Sequence, residues 1–373
     1  MMKILVTSSI FPPEIGGPAT YAREFSKRAT KLGHEVRVIT LTDSEAETLE
    51  RVWIKGLKRS RNKLARQSSL LLNIVRAARG CDVIYAQNPA AIGLPSVLAA
   101  KFLGKPVVVK YVGDTAWEKA FREGKTERFL EDFLENPDAN ENILRVERFV
   151  FKRATKIITP SKFLSNILVK YHRVPEGKID VIPNAVDAGG VKLPKKKENA
   201  IITVTRLVPW KGVQDIISLM PKIRKETGAE LWIVGDGPHR SELERLAKPL
   251  DGIRFLGALS HKKTLDTIAS SRVFVLNSLY EGMPHVLLEA MALKTAIVAT
   301  DICGNPELIR DNENGLLVPP KDSEALKKAI YRLLADDGLA KRLSESAEKD
   351  SSKYSWPNIL SKTLSSLEEV AKR

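Results

Sequence analysis

Short runs of β-branched and aliphatic residues recur along the chain, each followed by a longer stretch in which apolar residues return every three or four positions. "KILVTSS" (3–9), "EVRVIT" (35–40), "DVIYAQ" (82–87), "PVVVKYV" (106–112), "KIITP" (156–160) and "KIDVIP" (178–183) read as strands of a first sheet. Helical patterns over 18–32, 61–79, 90–103, 141–154 and 161–171 separate them. After a Gly- and Lys-rich break, "DAGGVKLPKKKEN" (187–199), the rhythm restarts with "AIITVTR" (200–206), "ELWIVGD" (230–236), "IRFLG" (253–257), "RVFVLNS" (272–278) and "TAIVATD" (295–301). Strands that are apolar on both faces, alternating with helices, predict parallel sheets covered on both sides. The expected fold is α/β, with two doubly wound Rossmann-like domains facing a cleft. Residues 1–190 form the first domain and 198–354 the second, and a final amphipathic helix over 355–373 packs back on the first. The chain's length of 373 residues suits two cores better than one.

Composition adds limits. Two cysteines far apart, Cys81 and Cys303, argue against a disulfide framework and suit a reducing compartment. The first apolar run is too short for a signal peptide, and no stretch approaches the roughly 18 apolar residues of a membrane span, so a cytoplasmic protein is expected. The net charge of +15 is uneven: residues 1–190 hold 31 Lys/Arg against 21 Asp/Glu, and the rest 29 against 24. Residues 51–80 carry nine Lys/Arg and no acid. Such a stripe attracts phosphates of any kind, or is only a solvated helix face. With clustered cations beside Leu57, Leu64, Leu70, Leu71 and Leu72, one reading is a basic amphipathic surface lying on anionic lipid at the inner face of a membrane. With aromatics at 6% and no nucleic-acid motif beside the stripe, a nucleic-acid partner is not expected.

The chemistry gathers in the second half. In "SLYEGMPHVLLEAMA" (278–292), Glu281 and Glu289 flank a Gly282-Met283-Pro284 turn that opens a helix from about Pro284 to Leu293. Ligands of open parallel sheets bind beyond the carboxyl ends of the strands, which is where Glu281 falls. The helix start offers free N–H groups to an anion, while a carboxylate accepts hydrogen bonds from a sugar diol; together they fit a phosphorylated sugar. Alternatively, Glu289 pairs with a core arginine and Glu281 only caps the helix. "VTRLVPWKG" (204–212) adds Arg206 at a strand end and Lys211 before the next helix, two cations able to neutralise a diphosphate. "VGDGPHRSELERL" (234–246) and "TDICGNPELI" (300–309) are further strand-to-helix turns at the same edge. No Asp-x-Asp occurs, and the histidines at 34, 172, 239, 261 and 285 show no metal-ligand spacing.

In order, with "FLGALSHKKTLDTIASSRVFVLNSLYEGMPHVLLEAMA" and "NGLLVPP", these motifs resemble glycosyltransferase family 4, the group 1 glycosyl transferases of GT-B architecture. The resemblance implies a retaining, metal-independent hexosyltransferase that takes a UDP- or GDP-sugar as substrate and needs no cofactor. It implies that Arg206 and Lys211 hold the donor diphosphate, that Glu281 faces the transferred sugar, and that Glu289 binds the ribose hydroxyls. The backbone at Gly282 and Met283 would assist, and Gly17, in the Gly-Gly loop after the first strand, would let the backbone approach the donor phosphate. Where many relatives carry a histidine near the reacting sugar, this chain has Gly113-Asp114, so Asp114 is the candidate polar contact there. Cys303 stands where relatives usually have glycine. The first domain would bind a hydroxyl acceptor, lipid-linked if the basic stripe meets a membrane. A sugar-nucleotide epimerase of the same fold is the alternative enzyme reading, and a basic nucleic-acid-binding protein the alternative from another class.

Overall fold

The computed structural model describes residues 1–14 and 16–372, with every side chain among them except that of Lys63. The chain divides into two compact units, one of residues 1–120, 131–183 and 357–373 and one of 121–130 and 184–356.

In the first unit seven strands form one parallel sheet: β1 Lys3–Ser8, β2 Glu35–Leu41, β3 Val52–Leu57, β4 Val83–Ala86, β5 Val107–Lys110, β6 Lys156–Thr159 and β7 Ile179–Val181. Their order is β3-β2-β1-β4-β5-β6-β7, so the winding reverses between β1 and β4. The central strands are buried on both faces, as their unbroken apolar runs require. β3 was not expected. It lies at the sheet edge, pairs with β2 from Val36↔Val52 to Leu41↔Leu57, and turns Trp53 and Lys55 to solvent. The basic stripe is therefore not one helix. It is this edge strand followed by the helix Lys63–Ala78, whose first turn is capped by the Asn62 carboxamide oxygen accepting from Leu64 and Ala65 N–H.

The last helix, Trp356–Ala371, belongs to the first unit from Pro357 onward. Thr363 Oγ1 lies 3.5 Å from Tyr21 Oη, Ser366 donates to Asp180 (2.6 Å), and Lys156 pairs with Glu369. Trp356 is buried at the start of this helix and falls in the second unit. Residues 121–130, expected inside the first domain, also cluster with the second unit, where Phe121 packs edge-on against Trp210 with centroids 5.7 Å apart.

The second unit holds six parallel strands: β8 Glu198–Val204, β9 Glu230–Val234, β10 Ile253–Gly257, β11 Ser271–Leu276, β12 Ala296–Thr300 and β13 Leu316–Val318. Their order is β10-β9-β8-β11-β12-β13, with the winding reversal between β8 and β11. One face packs on the helices Val213–Thr227 and Ser323–Ala335 through Ile201, Ile233, Val273, Ile216 and Ile330. The other packs on His261–Ser270 and His285–Ala292 through Ile202, Phe274, Ile268 and Leu287. Each such side chain contributes about 1.5–3 kcal/mol by leaving water.

At the reversal the backbones of two loops touch. Gly212 follows Lys211 with φ 62°, a left-handed conformation in which glycine avoids the Cβ clash. A Cβ there would lie 2.1 Å from Asn277 O, just beyond β11. The Asn277 amide donates to Gly212 O and Asp215 Oδ2, both at 3.0 Å, and Leu279 N–H donates to Trp210 O at 2.7 Å. Gly212→Ala must push these loops apart. It should lower the unfolding free energy by about 1–3 kcal/mol, the usual cost of overpacking, read from the urea midpoint. An unchanged midpoint would show that the loops yield freely.

Candidate functional site

The two loops fastened at Gly212 and Asn277 deliver one residue each to the reversal point. Lys211, on the short turn Pro209–Lys211 after β8, and Glu281, after β11, meet with Nζ and Oε1 2.5 Å apart. Their side chains are 15% and 11% exposed, so each charge faces the other more than water. Ser278 donates to the same Glu281 oxygen at 2.7 Å. The Glu281 carbonyl accepts from Gly304 N–H (3.0 Å), which ties the loop after β12 to the site. Gly304 is needed for that approach, since a Cβ would sit 2.0 Å from Gly282 O. Beside it Cys303 adopts φ 54°, a left-handed backbone that glycine adopts more readily.

Arg206, one turn earlier on the β8 loop, is exposed, and its guanidinium has no hydrogen bond or ion pair among the described residues. It is an exposed cation on the loop that carries Lys211. Gly282 and buried Met283 continue the β11 loop, with the Met283 carbonyl held by Asn184 Nδ2 at 2.8 Å. The helix begins at His285, and Pro284 is its N-cap rather than its first residue.

Glu289 does not meet Glu281's lysine, nor a core arginine. Its Oε1 lies 2.9 Å from Nε2 of His261, the first residue of the helix His261–Ser270, where Ser260 is the cap. The carboxylate is 13% exposed and the imidazole 50%, so the pair opens to solvent on the histidine side. The sequence reading did not single out His261. Its position just after a Ser cap was the available signal, but the pairing runs between two helices and leaves no spacing to read. Nearby, burial pushes the Asp215 carboxyl above the usual carboxylate range, and the Asn277 hydrogen bond offsets part of that.

Two expected residues lie in the first unit. Gly17 is the first residue of the helix Gly17–Lys31, preceded by Gly16 at φ 157° and followed by Pro18, with no acid in the first turn. Asp114 was expected as a polar contact to a reacting sugar. Its side chain is 0% exposed, and Oδ1 accepts from Trp117 N–H at 2.8 Å, capping the helix Thr115–Arg122. It also lies beside buried Glu147 and His172, so one histidine does share a carboxylate cluster that chain spacing did not disclose.

The profile described as "Glycosyl transferases group 1" matches residues 190–350, and that described as "Glycosyltransferase Family 4" matches 15–189. An uncharacterized glycosyltransferase of Methanocaldococcus jannaschii is 31% identical over 247 residues, which cover 61% of this chain and 63% of that protein. The chain thus spans somewhat under two thirds of that relative's length. Glycogen synthase of Mycobacterium tuberculosis is 24% identical over 97% of this chain and 93% of its own. Among solved structures, Anabaena HepE in complex with UDP and glucose superposes with a TM-score of 0.82 at 19% identity, covering 99% of this chain and 100% of that one. The match identifies the two parallel-sheet units as a GT-B fold. With adjoining family matches from residue 15 to residue 350, the chain belongs to the group 1, family 4 glycosyltransferases.

Proposed function

We propose that the protein moves a hexose from a nucleoside-diphosphate sugar, UDP- or GDP-linked, to a hydroxyl acceptor, with retention at the anomeric carbon and without a metal ion. The observation that carries this reading is the Lys211–Glu281 pair at the winding reversal of the second sheet, with exposed Arg206 earlier on the loop of Lys211. A diphosphate arriving there meets two cations. Arg206 accepts it without losing a partner, and Lys211 exchanges a carboxylate for a phosphate oxygen. Stabilising the charge that develops on the leaving diphosphate is the work a divalent ion does elsewhere. Glu281, released from its lysine and still held by Ser278, then faces the hydroxyls of the sugar. Glu289 takes the ribose diol on its solvent side, where it now meets His261. Backbone at Gly282 and Met283, and Gly17 in the first unit, complete the donor contacts in this reading. The UDP and glucose named with Anabaena HepE support this substrate class. Polysaccharide or cell-envelope glycan synthesis is the proposed setting, in keeping with the glycogen synthase relative.

Among the described residues no helix is long and apolar enough to cross a membrane. We place the protein in the cytoplasm and assign lipid contact to the first unit. There Trp53, Leu64 (80% exposed), Leu72 and Phe102 (73% exposed) stand out from β3 and the packed helices Lys63–Ala78 and Leu94–Leu103. Lys55, Lys58, Arg61 and Lys101 are exposed near them in the chain. Leu70, by contrast, is core, and Arg59 turns inward to Glu14 and Asp43.

Four outcomes are expected. Arg206→Ala and Lys211→Ala each remove a charge-assisted contact of about 1.5–3 kcal/mol, so titration calorimetry should show nucleoside-diphosphate affinity falling roughly 10- to 150-fold. Wild-type affinity for both UDP and GDP in both variants would defeat the donor assignment. Glu289→Gln should chiefly weaken nucleotide binding, whereas Glu281→Gln should slow transfer and leave nucleotide affinity near wild type. In the same assay EDTA should leave turnover unchanged, and rescue of a chelated enzyme by magnesium or manganese would refute the metal-free step. For the surface, Lys55→Glu with Lys58→Glu and Arg61→Glu should cut co-sedimentation with phosphatidylglycerol vesicles by roughly two orders of magnitude at low salt, at about 1 kcal/mol per cation lost. If the wild type fails to sediment with them, the acceptor is soluble.

A further inference from the structure

The first unit contains a buried polar cluster apart from the Lys211–Glu281 pair. Asp114 follows β5, Glu147 lies on the helix Glu141–Arg153, and His172 follows the helix Lys162–Lys170. All three are buried, and one donor atom from each lies within 4.8 Å of the others. The known hydrogen bonds account for only part of their capacity. Asp114 Oδ1 accepts from Trp117 N–H, and its Oδ2 lies 3.5 Å from both Tyr111 Oη and His172 Nε2. Thr115 N–H reaches Glu147 Oε1 at 3.3 Å. Glu147 Oε2 and both ring nitrogens of His172 are sealed from solvent without a hydrogen-bond partner. The imidazole is fixed in place by edge-on packing against Tyr111 and Phe151, with centroids 6.0 and 5.0 Å away.

Glu147 Oε2 and the two His172 nitrogens, buried with no hydrogen-bond partner, are costly to leave unmatched unless a further ligand is present. The His172–Asp114 separation is also informative. At 3.5 Å it is long for a hydrogen bond, yet it is close to the roughly 3.3 Å edge of a tetrahedron of ligands bonded to an ion at 2.0–2.1 Å. One nitrogen and two carboxylate oxygens form a donor set suited to zinc and its neighbours among the divalent ions.

We infer that Asp114, Glu147 and His172 bind one divalent cation of the zinc class, which fastens three separate segments of the first unit together. The ion is structural. It enters as the chain folds, because the closed cluster offers no route from solvent, and its binding adds to folding free energy. It is independent of the transfer reaction proposed above, and brief exposure to EDTA would not extract it from the native protein.

The test is metal analysis of native wild-type protein grown in zinc-supplemented medium and gel-filtered in EDTA, together with unfolding and refolding in guanidinium. About one equivalent of metal per chain is expected, with a refolded protein whose midpoint is higher when zinc replaces chelator. Glu147→Gln and His172→Gln should copurify with substoichiometric metal and lose the zinc dependence of the midpoint. Should these variants fail to fold, the wild-type stoichiometry and its refolding midpoints still decide. Metal-free wild-type protein with the same midpoint in zinc and in chelator would overturn the inference and leave the cluster to shared protons. Full metal content in folded variants would place the ion elsewhere and overturn it equally.

Discussion

Lys211 Nζ and Glu281 Oε1, 2.5 Å apart at the winding reversal of the second sheet, set the terms for the rest of the site. Neither position is tolerable alone. A carboxylate left largely out of water, with Ser278 as its remaining donor, would be strongly penalised, and removing one partner of a well-buried pair costs about 3–5 kcal/mol. The residual exposure of these two side chains reduces that figure but does not remove it. The pair forms because Gly212 lets one loop touch the backbone of the other, and because Asn277 and Leu279 hydrogen-bond across the gap. A single residue type at 212 thus reaches, through backbone contact, to the charge that the site presents.

The consequence is a site that rests neutralised and is chemically ready. Lys211 already has a carboxylate and Glu289 already has an imidazole, while Arg206 has only solvent. In the proposed reading, an anionic ligand is drawn first to the open cation and then competes for the paired one. The lysine then trades one negative partner for another, and a sugar-bearing diphosphate offers hydroxyls to the carboxylates and phosphate to the cations. A bare anion leaves Glu281 with no lysine and no diol. Discrimination in favour of the sugar nucleotide follows from that difference.

The parts of the molecule that follow period and composition were legible in the sequence. Strands such as "KILVTSS" and "RVFVLNS" are apolar on both faces, and only a covered parallel sheet satisfies that pattern. Lys211 and Glu281 were legible as strand-end residues because loops after parallel strands converge on one edge. What escaped depended on tertiary proximity. β3, "VWIKGL", carries a lysine and a glycine because an edge strand buries only part of itself, so it read as part of a basic stripe. His261 meets Glu289 across two helices, and Asp114, Glu147 and His172 come from three loops and helices with no regular interval. Asp114 carries a related ambiguity: a short polar residue ahead of a helix caps it as readily as it contacts a ligand, and only the folded chain shows the cap. Phe121 packs on Trp210, a pairing that only the folded chain brings about.

The central claim is that donor diphosphate takes Lys211 away from Glu281. A crystal structure of the protein with a non-hydrolysable UDP- or GDP-sugar tests it most directly. The account predicts Lys211 Nζ within hydrogen-bond distance of a phosphate oxygen, Arg206 on the same diphosphate, and Glu281 turned to the sugar hydroxyls. A nucleotide bound with the Lys211–Glu281 pair intact at its present 2.5 Å, and its phosphates away from Arg206, would contradict it.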